Sequence, residues 1–141
     1  MREYAIIGLR RGIAVVDVTD AENPDVIGSV SGQSTTWRDI KVFQYYSNAD
    51  RRWKAYAYAG ADAVNEGLTI IDLNNLPNSI ELVTRTTDDA SAHNVYISNV
   101  DYTTNTALSG RAALLHATGT DNFGGAWRPF ELKNPRLPAA S

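Results

Sequence analysis

Apolar and β-branched residues occur along this chain in short runs, and within several runs they alternate with polar residues. Over residues 53–60, alanine occupies every second position after Trp53. A period of two residues predicts a strand, and the alanines predict close approach of a neighbouring layer. Residues 12–18 are almost continuously apolar, which is typical of a strand covered on both faces. No segment shows a period of about 3.6 residues, so the pattern predicts an all-β protein with almost no helix.

The individual strands follow from these runs and from the turn-forming residues between them. We expect a long polar turn over 101–110 and an end to the pattern at 134–138. Short strands joined in sequence by tight turns indicate antiparallel meanders. The strands are predicted at residues 3–9, 13–18, 25–30, 40–46, 53–60, 68–73, 80–84, 94–99, 111–119 and 126–132.

One stretch of the pattern recurs at a fixed interval. The run Gly12-Ile-Ala-Val-Val-Asp-Val returns as Gly67-Leu-Thr-Ile-Ile-Asp-Leu, which places Asp17 and Asp72 55 residues apart. Residues 36–42 align with 91–97 at the same offset, and a weaker third copy begins near residue 113. A recurrence of this length indicates a repeat architecture.

Four short antiparallel strands repeated at this interval are typical of the blade of a β-propeller. We therefore predict an all-β fold of propeller-type four-stranded blades, with about two and a half blades in this chain. Residues 1–141 would form a single domain, divided approximately into blades at 1–31, 32–87 and 88–141. The alternative is a plain β-sandwich whose hairpins resemble one another by coincidence.

Composition and charge narrow the function classes. The 141 residues are 43% apolar and 21% charged, which is ordinary for a globular domain. A net charge of −3 gives no electrostatic case for nucleic acid or for an anionic membrane. The absence of cysteine excludes disulfides and thiolate chemistry. We find no signal-peptide h-region at the N-terminus and no apolar run of membrane-spanning length.

The best candidates for ligand binding occupy one position of the repeat. Arg38-Asp39 and His93-Asn94 both stand just before the first strand of a unit. In a propeller this strand lines the central channel, so these side chains would converge near the channel mouth, where Trp37 adds a ring that can stack on a sugar or a peptide. The interpretation that we favour is that the four polar residues connect one blade to the next by hydrogen bonds.

The aspartates that end two strands, and the tryptophans, also allow two interpretations each. Asp17 and Asp72 end apolar strands and are interpreted as caps that accept backbone N–H groups of the following turn, with a cation-binding ring as the alternative. Trp53 and Trp127, like Trp37, are interpreted as residues that pack between blades, with stacking on a sugar or a peptide as the alternative.

Metal and cofactor sites have weak support in this sequence. His93 alone makes no metal site, because zinc needs three or four ligands. The acids of Asp88-Asp89 and Asp121-Asn122 are of the type that binds calcium, but no calcium-loop spacing is present. We expect no metal site and no cofactor.

No catalytic residue is assigned. Ser91 and His93 with Asp88 or Asp89 contain the residue types of a catalytic triad, but no nucleophile elbow accompanies them. His116 lies in an apolar run and is interpreted as a hydrogen-bonded core or interface histidine. Paired carboxylates for glycoside hydrolysis stay open, because a sequence does not give their separation.

The pattern Gly12-Ile-Ala-Val-Val-Asp-Val-Thr-Asp, followed by Asn23-Pro24, resembles the LVIVD repeat. Together with Gln33-Ser-Thr-Thr-Trp-Arg-Asp and Ser91-Ala-His-Asn-Val, it makes residues 2–135 similar to the choice-of-anchor B family of bacterial surface proteins. The resemblance implies a β-propeller displayed on the cell exterior, with no established enzymatic activity. Members of that family carry a signal peptide, more blades and a C-terminal anchor, so we expect a fragment or a shortened relative.

These observations predict a non-enzymatic cell-surface or extracellular module that binds or scaffolds a protein or glycan. The alternative is a hydrolase with its active site at the channel mouth. The first unit lacks an inner strand in the predicted pattern and the third lacks an outer one. Because exposed strand edges invite pairing, we expect a homo-oligomer or completion by further blades.

Overall fold

The computed structural model describes residues 1–86, 91–120 and 126–140, and throughout them the chain is all-β without helix. The prediction of an all-β fold is therefore confirmed. In the described part there is no helix long and apolar enough to cross a bilayer. The strands are β1 (Tyr4–Leu9), β2 (Gly12–Asp17), β3 (Asp25–Ser31), β4 (Arg38–Ser47), β5 (Arg52–Ala61), β6 (Thr69–Asp72), β7 (Glu81–Arg85), β8 (Asn94–Ser98), β9 (Val100–Asp101), β10 (Thr106–Ala107), β11 (Leu114–Thr120), β12 (Ala126–Glu131) and β13 (Ala139–Ala140).

The strands form three sheets. Sheet A has the order β1-β2-β3, sheet B the order β7-β6-β5-β4-β10-β9, and sheet C the order β13-β12-β11-β8. Neighbouring strands of the described chain are antiparallel except for β4 and β10, which are parallel. The expected meanders are therefore present in all three sheets.

The segment 101–110, expected as one long turn, contains part of a small hairpin instead. Asn105 adopts a positive φ of 57° between β9 and β10, and its carbonyl oxygen accepts a hydrogen bond of 2.7 Å from the Gln44 amide. The edge of β4 offers backbone groups that need partners, and this hairpin supplies them. The contact joins residues far apart in sequence, so local polarity alone could not predict it.

The third unit also has an outer strand that the pattern did not predict. Residues 139 and 140 form β13 and pair with Phe130 and Glu131 of β12. A strand of two residues is too short to produce a detectable alternation. Sheet A, in contrast, has three strands, as the pattern predicted.

The core consists of two apolar clusters, one on each face of sheet B. Between sheets A and B, Ile13 and Val15 pack with Ala57 and Ala59, and all four are at most 1% exposed. The expected close approach over the alanine face is therefore confirmed. Burying a larger aliphatic side chain such as Ile13 contributes about 1.5–3 kcal/mol.

Between sheets B and C, the buried side chains are larger. Tyr58 and Ile70 of sheet B pack with Val95, Leu115 and Phe130 of sheet C. Sheet B is consequently the middle layer of the described molecule, and it buries both of its faces.

A glycine permits the close contact of sheet B with the segment that leads into β8. A Cβ atom at Gly60 would lie 2.7 Å from the Ala92 carbonyl oxygen, a distance that real Cβ atoms do not adopt. Gly8 holds the same position in sheet A, and there a Cβ would lie 3.1 Å from Cβ of Arg38. Both glycines therefore lie where one sheet closely approaches the segment that begins the next sheet.

Candidate functional site

The structure brings the predicted site residues to one end of sheets B and C. Arg38 and Asp39 begin β4, Asn94 begins β8, and Trp37 and His93 directly precede these strands. The two strand starts lie side by side because an oxygen of the Asp39 carboxylate accepts the backbone N–H of Val95 at 2.8 Å. The predicted residues therefore lie close together, and they make different contacts.

Arg38 is a structural connector between sheets A and B. Its Nε atom donates to the carbonyl oxygen of Leu9 at 2.9 Å, and Nη2 donates to that of Gln33 at 2.7 Å. Its Nη1 atom forms an ion pair with Glu66, and the two side chains are only 3% and 2% exposed. Gly32 makes room for this pair, since a Cβ there would lie 2.2 Å from Oε1 of Glu66.

Asp39 performs the equivalent role between sheets B and C. Besides the Val95 amide, its carboxylate accepts a hydrogen bond of 2.8 Å from Nζ of Lys41. Charge-assisted hydrogen bonds of this kind are shorter and stronger than neutral ones. Arg38 and Asp39 therefore connect neighbouring sheets, as the interpretation of these residues as connectors predicted.

Trp37 and His93 present an aromatic surface at the same end. Their rings stack with centroids 4.9 Å apart and an angle of 4° between planes. The Trp37 indole N–H donates to the His93 carbonyl oxygen at 2.6 Å, and Nδ1 of His93 lies 3.1 Å from Oδ2 of Asp62. Because Trp37 remains 47% exposed, this pair is accessible to a ligand.

Asn94 lies beside this pair at the exposed start of β8. Its carbonyl oxygen accepts a long hydrogen bond of 3.4 Å from the Thr118 hydroxyl. The five predicted residues therefore divide into two connectors, Arg38 and Asp39, and three surface residues.

A shallow cleft of about 360 Å³ adjoins the exposed face of Trp37. Arg10 contributes its guanidinium group there, with Nε donating to the Ser34 hydroxyl at 3.1 Å. The cleft therefore combines an aromatic ring, a cation and hydroxyl groups. It is lined by Gly8, Leu9, Arg10, Thr35, Thr36, Trp37 and Arg38.

The aspartates that end β2 and β6 have the predicted capping geometry. Asp17 accepts the Thr19 amide at 2.9 Å, and Asp72 accepts the Asn74 amide at 2.7 Å. Hydrogen bonds from Thr19 lower the pKa of Asp17 below its ordinary value. Each carboxylate also pairs with an arginine, Arg2 or Arg136. The capping prediction is confirmed, and each carboxylate has a positive partner within the chain.

The residues considered for a catalytic triad have other contacts. Ser91 is fully buried, and its hydroxyl donates to the Ala61 carbonyl oxygen at 3.1 Å and accepts the Ala63 amide at 2.9 Å. Asp88, Asp89, Asp121 and Asn122 lie outside the described residues. Within the described ranges no three His, Asp or Glu side chains converge as metal ligands would.

His116 is hydrogen-bonded through both ring nitrogens, as predicted. The Trp127 indole N–H donates to Nδ1 at 2.8 Å, and Nε2 lies 2.8 Å from the Ser98 hydroxyl. An indole N–H is a donor only, so Nδ1 is the acceptor and Nε2 carries the proton. Burial lowers the pKa of His116 from its ordinary value.

The expectation that the tryptophans pack between sheets is wrong. Trp37, Trp53 and Trp127 are all exposed. Alternation distinguishes the two faces of a strand, but it does not show whether another layer covers a given face.

Sequence reasoning missed Glu66 and Asp62, the partners of Arg38 and His93. Both lie in the loop that follows β5. Glu66 is 28 positions from Arg38, and Asp62 is 31 positions from His93. A charged residue at the start of a buried strand signals that a counter-charge is needed. Which of several loop acids supplies it depends on the packing of the sheets.

No protein family, curated protein or solved structure matches this chain. Its function must therefore be inferred from this geometry and from the sequence motifs.

Proposed function

We propose that this chain is a non-enzymatic binding or scaffolding module built from propeller-type repeats. The observation that carries the proposal is the stacked Trp37–His93 pair, which stays exposed beside the cleft while Arg38 and Asp39 are engaged in connecting the sheets. The ligand is a glycan or a peptide, since an aromatic plane flanked by Arg10 and hydroxyl groups suits either.

The propeller arrangement is part of this proposal. In a propeller the first strands of consecutive blades lie side by side around the axis, and the contact between Asp39 of β4 and Val95 of β8 has that character. Sheet B further supports the arrangement, because its four meander strands follow in sequence order from β4 to β7. We also propose an extracellular or cell-surface location, on the strength of the resemblance to LVIVD-repeat and choice-of-anchor B proteins, and we propose self-association.

A hydrolase is the second candidate, and one observation favours it. Nδ1 of His93 and Oδ2 of Asp62 are 3.1 Å apart, a pairing that orients a histidine in many hydrolytic sites. The stacked Trp37 ring and the buried, hydrogen-bonded Ser91 hydroxyl favour the binding module over this alternative.

The test is binding of the labelled chain to an array of defined oligosaccharides and short peptides. We expect Trp37→Ala to weaken the strongest signal about tenfold, which corresponds to the loss of one stacking contact of about 1–1.5 kcal/mol. Trp53→Ala is the matched control, because Trp53 is also exposed but lies away from the cleft. Equal losses in both variants, no binding at all, or release of hydrolysed ligand would contradict the proposal.

A further inference from the structure

We propose that two copies of this chain dock with sheet A of each copy against sheet C of the other. This docking extends the proposed scaffold role. The number of copies, two, rests on the proposed propeller arrangement. It does not depend on the ligand site at Trp37, so the two proposals can fail independently.

The sheets of one copy pack in a single direction. Sheet A places Ile13 and Val15 against Ala57 and Ala59 of sheet B, and the opposite face of sheet B, with Tyr58, packs against sheet C. We call the face toward the preceding sheet the front face and the other the back face. Both internal contacts therefore join a back face to the front face of the next sheet.

The registers show that the faces of different sheets are equivalent. Ala59 pairs with Ile40 in sheet B, and Ala117 pairs with Val95 in sheet C. Ile40 and Val95 are separated by the repeat interval of 55 residues. Each of these pairs belongs to the front face of its sheet, so sheets B and C receive their neighbours in the same way.

The front face of sheet A is open and aliphatic. Cross-strand partners share a face, so the pairs Ala5–Val16 and Val16–Val26 lie together, opposite the buried Val15. Val26 is 63% exposed and Ile7, on the same face, is 44% exposed. In sheet B the equivalent front face is the alanine face that sheet A covers.

The back face of sheet C is open and aromatic. Tyr96 and His116 are cross-strand partners, with ring centroids 6.0 Å apart. The Trp127 ring stacks on His116 with centroids 5.7 Å apart, and the Tyr102 ring lies 6.0 Å from that of Tyr96. Trp127 is nevertheless 58% exposed. Hydrogen bonds to both nitrogens of His116 hold this surface in one arrangement without a partner.

The repeat identifies what this aromatic face would receive. His116 is the cross-strand partner of Tyr96 in sheet C. In sheet B, Tyr58 is the cross-strand partner of Lys41, which precedes Tyr96 by the repeat interval of 55 residues. His116 therefore holds the position of Tyr58, which is completely buried beneath the front face of sheet C. A front face is what covers this position inside the chain. In a solution of this 141-residue chain, sheet A of a second copy offers an open front face.

The apolar character of the two open faces agrees with this docking. Contiguous exposed apolar patches mark interaction surfaces, and here an aliphatic surface meets an aromatic one. The contact continues an interface that the chain already makes twice. Three sheets per chain give six sheets for two copies, which is within the range of about four to eight blades found in propellers. Front-to-back contacts of this kind form a closed assembly when the rotation closes, and two copies satisfy that count.

The first measurement is the solution mass by sedimentation velocity or light scattering. We expect the wild-type chain to be a dimer of 15.4 kDa subunits, and we expect Val26→Lys and Trp127→Glu each to be monomeric. Trp53→Glu is the matched control and should remain dimeric, because Trp53 is equally exposed but lies on neither face. Circular dichroism melts verify that every variant is folded.

The second measurement mixes the two monomeric variants. Each keeps one intact face, so one contact re-forms, and the other brings Lys at position 26 opposite Glu at position 127. We expect the mixture to restore a dimer with at least tenfold tighter association than either variant alone. A contact between two sheets C predicts instead that only Trp127→Glu disrupts the dimer, and that mixing restores nothing.

Three results would overturn the proposal: a wild-type monomer at about 100 μM, dissociation by only one of the two variants, or species that keep growing beyond the dimer. Array binding by the Val26→Lys variant separates this inference from the proposed function. Ligand binding by a wild-type chain that proves monomeric contradicts the docking alone. A wild-type dimer that binds no ligand contradicts the ligand site alone, and retained binding by the Val26→Lys monomer shows that the Trp37 site does not need the dimer.

Discussion

At the scale of single residues, the fold depends on a few buried polar side chains. Arg38 and Glu66 form an ion pair that is almost completely buried, with further hydrogen bonds from the guanidinium to Leu9 and Gln33. A buried charge without a partner is strongly unfavourable, so the pair behaves as a unit.

We therefore expect Glu66→Gln to lower the free energy of unfolding by about 3–5 kcal/mol, because it leaves the Arg38 charge buried and uncompensated. Urea unfolding followed by tryptophan fluorescence measures this change. Glu131→Gln removes the exposed pair with Lys133 and should change stability by less than about 1 kcal/mol. Equal losses of stability in both variants would show that the buried pair of Glu66 stabilises the fold no more than the exposed pair does.

His116 makes stability depend on pH. Burial lowers its pKa below the ordinary 6.5, so the unfolded chain binds a proton at a higher pH than the folded chain does. The contribution of neutral His116 is fully present above pH 6.5 and is lost as the pH falls through the lower folded value. Protonation also removes the acceptor that Nδ1 offers to Trp127.

Thermal unfolding between about pH 4.5 and 7.5 tests this dependence. We expect the melting temperature to fall on acidification, and we expect His116→Gln to flatten that slope. His93→Gln is the control. Its melting temperature should still fall on acidification by the amount that His116 causes. A wild-type slope that survives in His116→Gln would assign the effect to other groups.

At the scale of strands and sheets, local pattern and tertiary contact contributed differently. The alternation of apolar and polar residues placed the long strands to within a few residues. Successive side chains of a strand point to opposite faces, so this pattern is a local property of the sequence. The pattern did not predict β9, β10 or β13, since these short strands exist through their pairing with β4 and β12. The connection between sheets B and C likewise depends on a side chain, Asp39, that accepts a backbone amide of another strand.

Asp39→Ala should therefore lower the free energy of unfolding by about 1–3 kcal/mol, because the Val95 amide loses its acceptor near the sheet junction. His93→Ala should cost less, since its side chain is 45% exposed. Asp39→Asn retains one acceptor oxygen and should fall between wild type and Asp39→Ala. Unchanged or raised urea midpoints for both alanine variants would contradict the structural role and favour a ligand role.

At the scale of the whole molecule, a buried hydrogen bond and the Arg136 ion pair with Asp72 both connect the C-terminal segment to sheet B. The Tyr58 hydroxyl donates to the Pro135 carbonyl oxygen at 2.6 Å across a separation of 77 residues. Burial raises the pKa of this hydroxyl well above its ordinary value, so it remains a donor. This bond is the buried part of the contact between the segment that precedes β13 and the middle sheet.

Tyr58→Phe should lower the free energy of unfolding by about 1–2 kcal/mol, because it leaves the Pro135 oxygen without this donor. Hydrogen exchange at Ala139 and Ala140 should also become faster, because the segment before them loses a hydrogen bond to the core. Tyr46→Phe, at an exposed tyrosine, is the control and should stay within about 0.5 kcal/mol of wild type. An equal effect of the two variants would exclude an anchoring role for Tyr58.

The sequence by itself determined the all-β class, most strand positions and the capping roles of Asp17 and Asp72. These features depend on alternation and on turns of a few residues, which are local properties of the chain. Only the tertiary structure decided that Arg38 pairs with Glu66, that Trp37 stacks on His93, and which sheet faces remain open. Each of these features involves residues from separate strands or loops. Which residues meet, and which faces stay open, depends on how the three sheets pack.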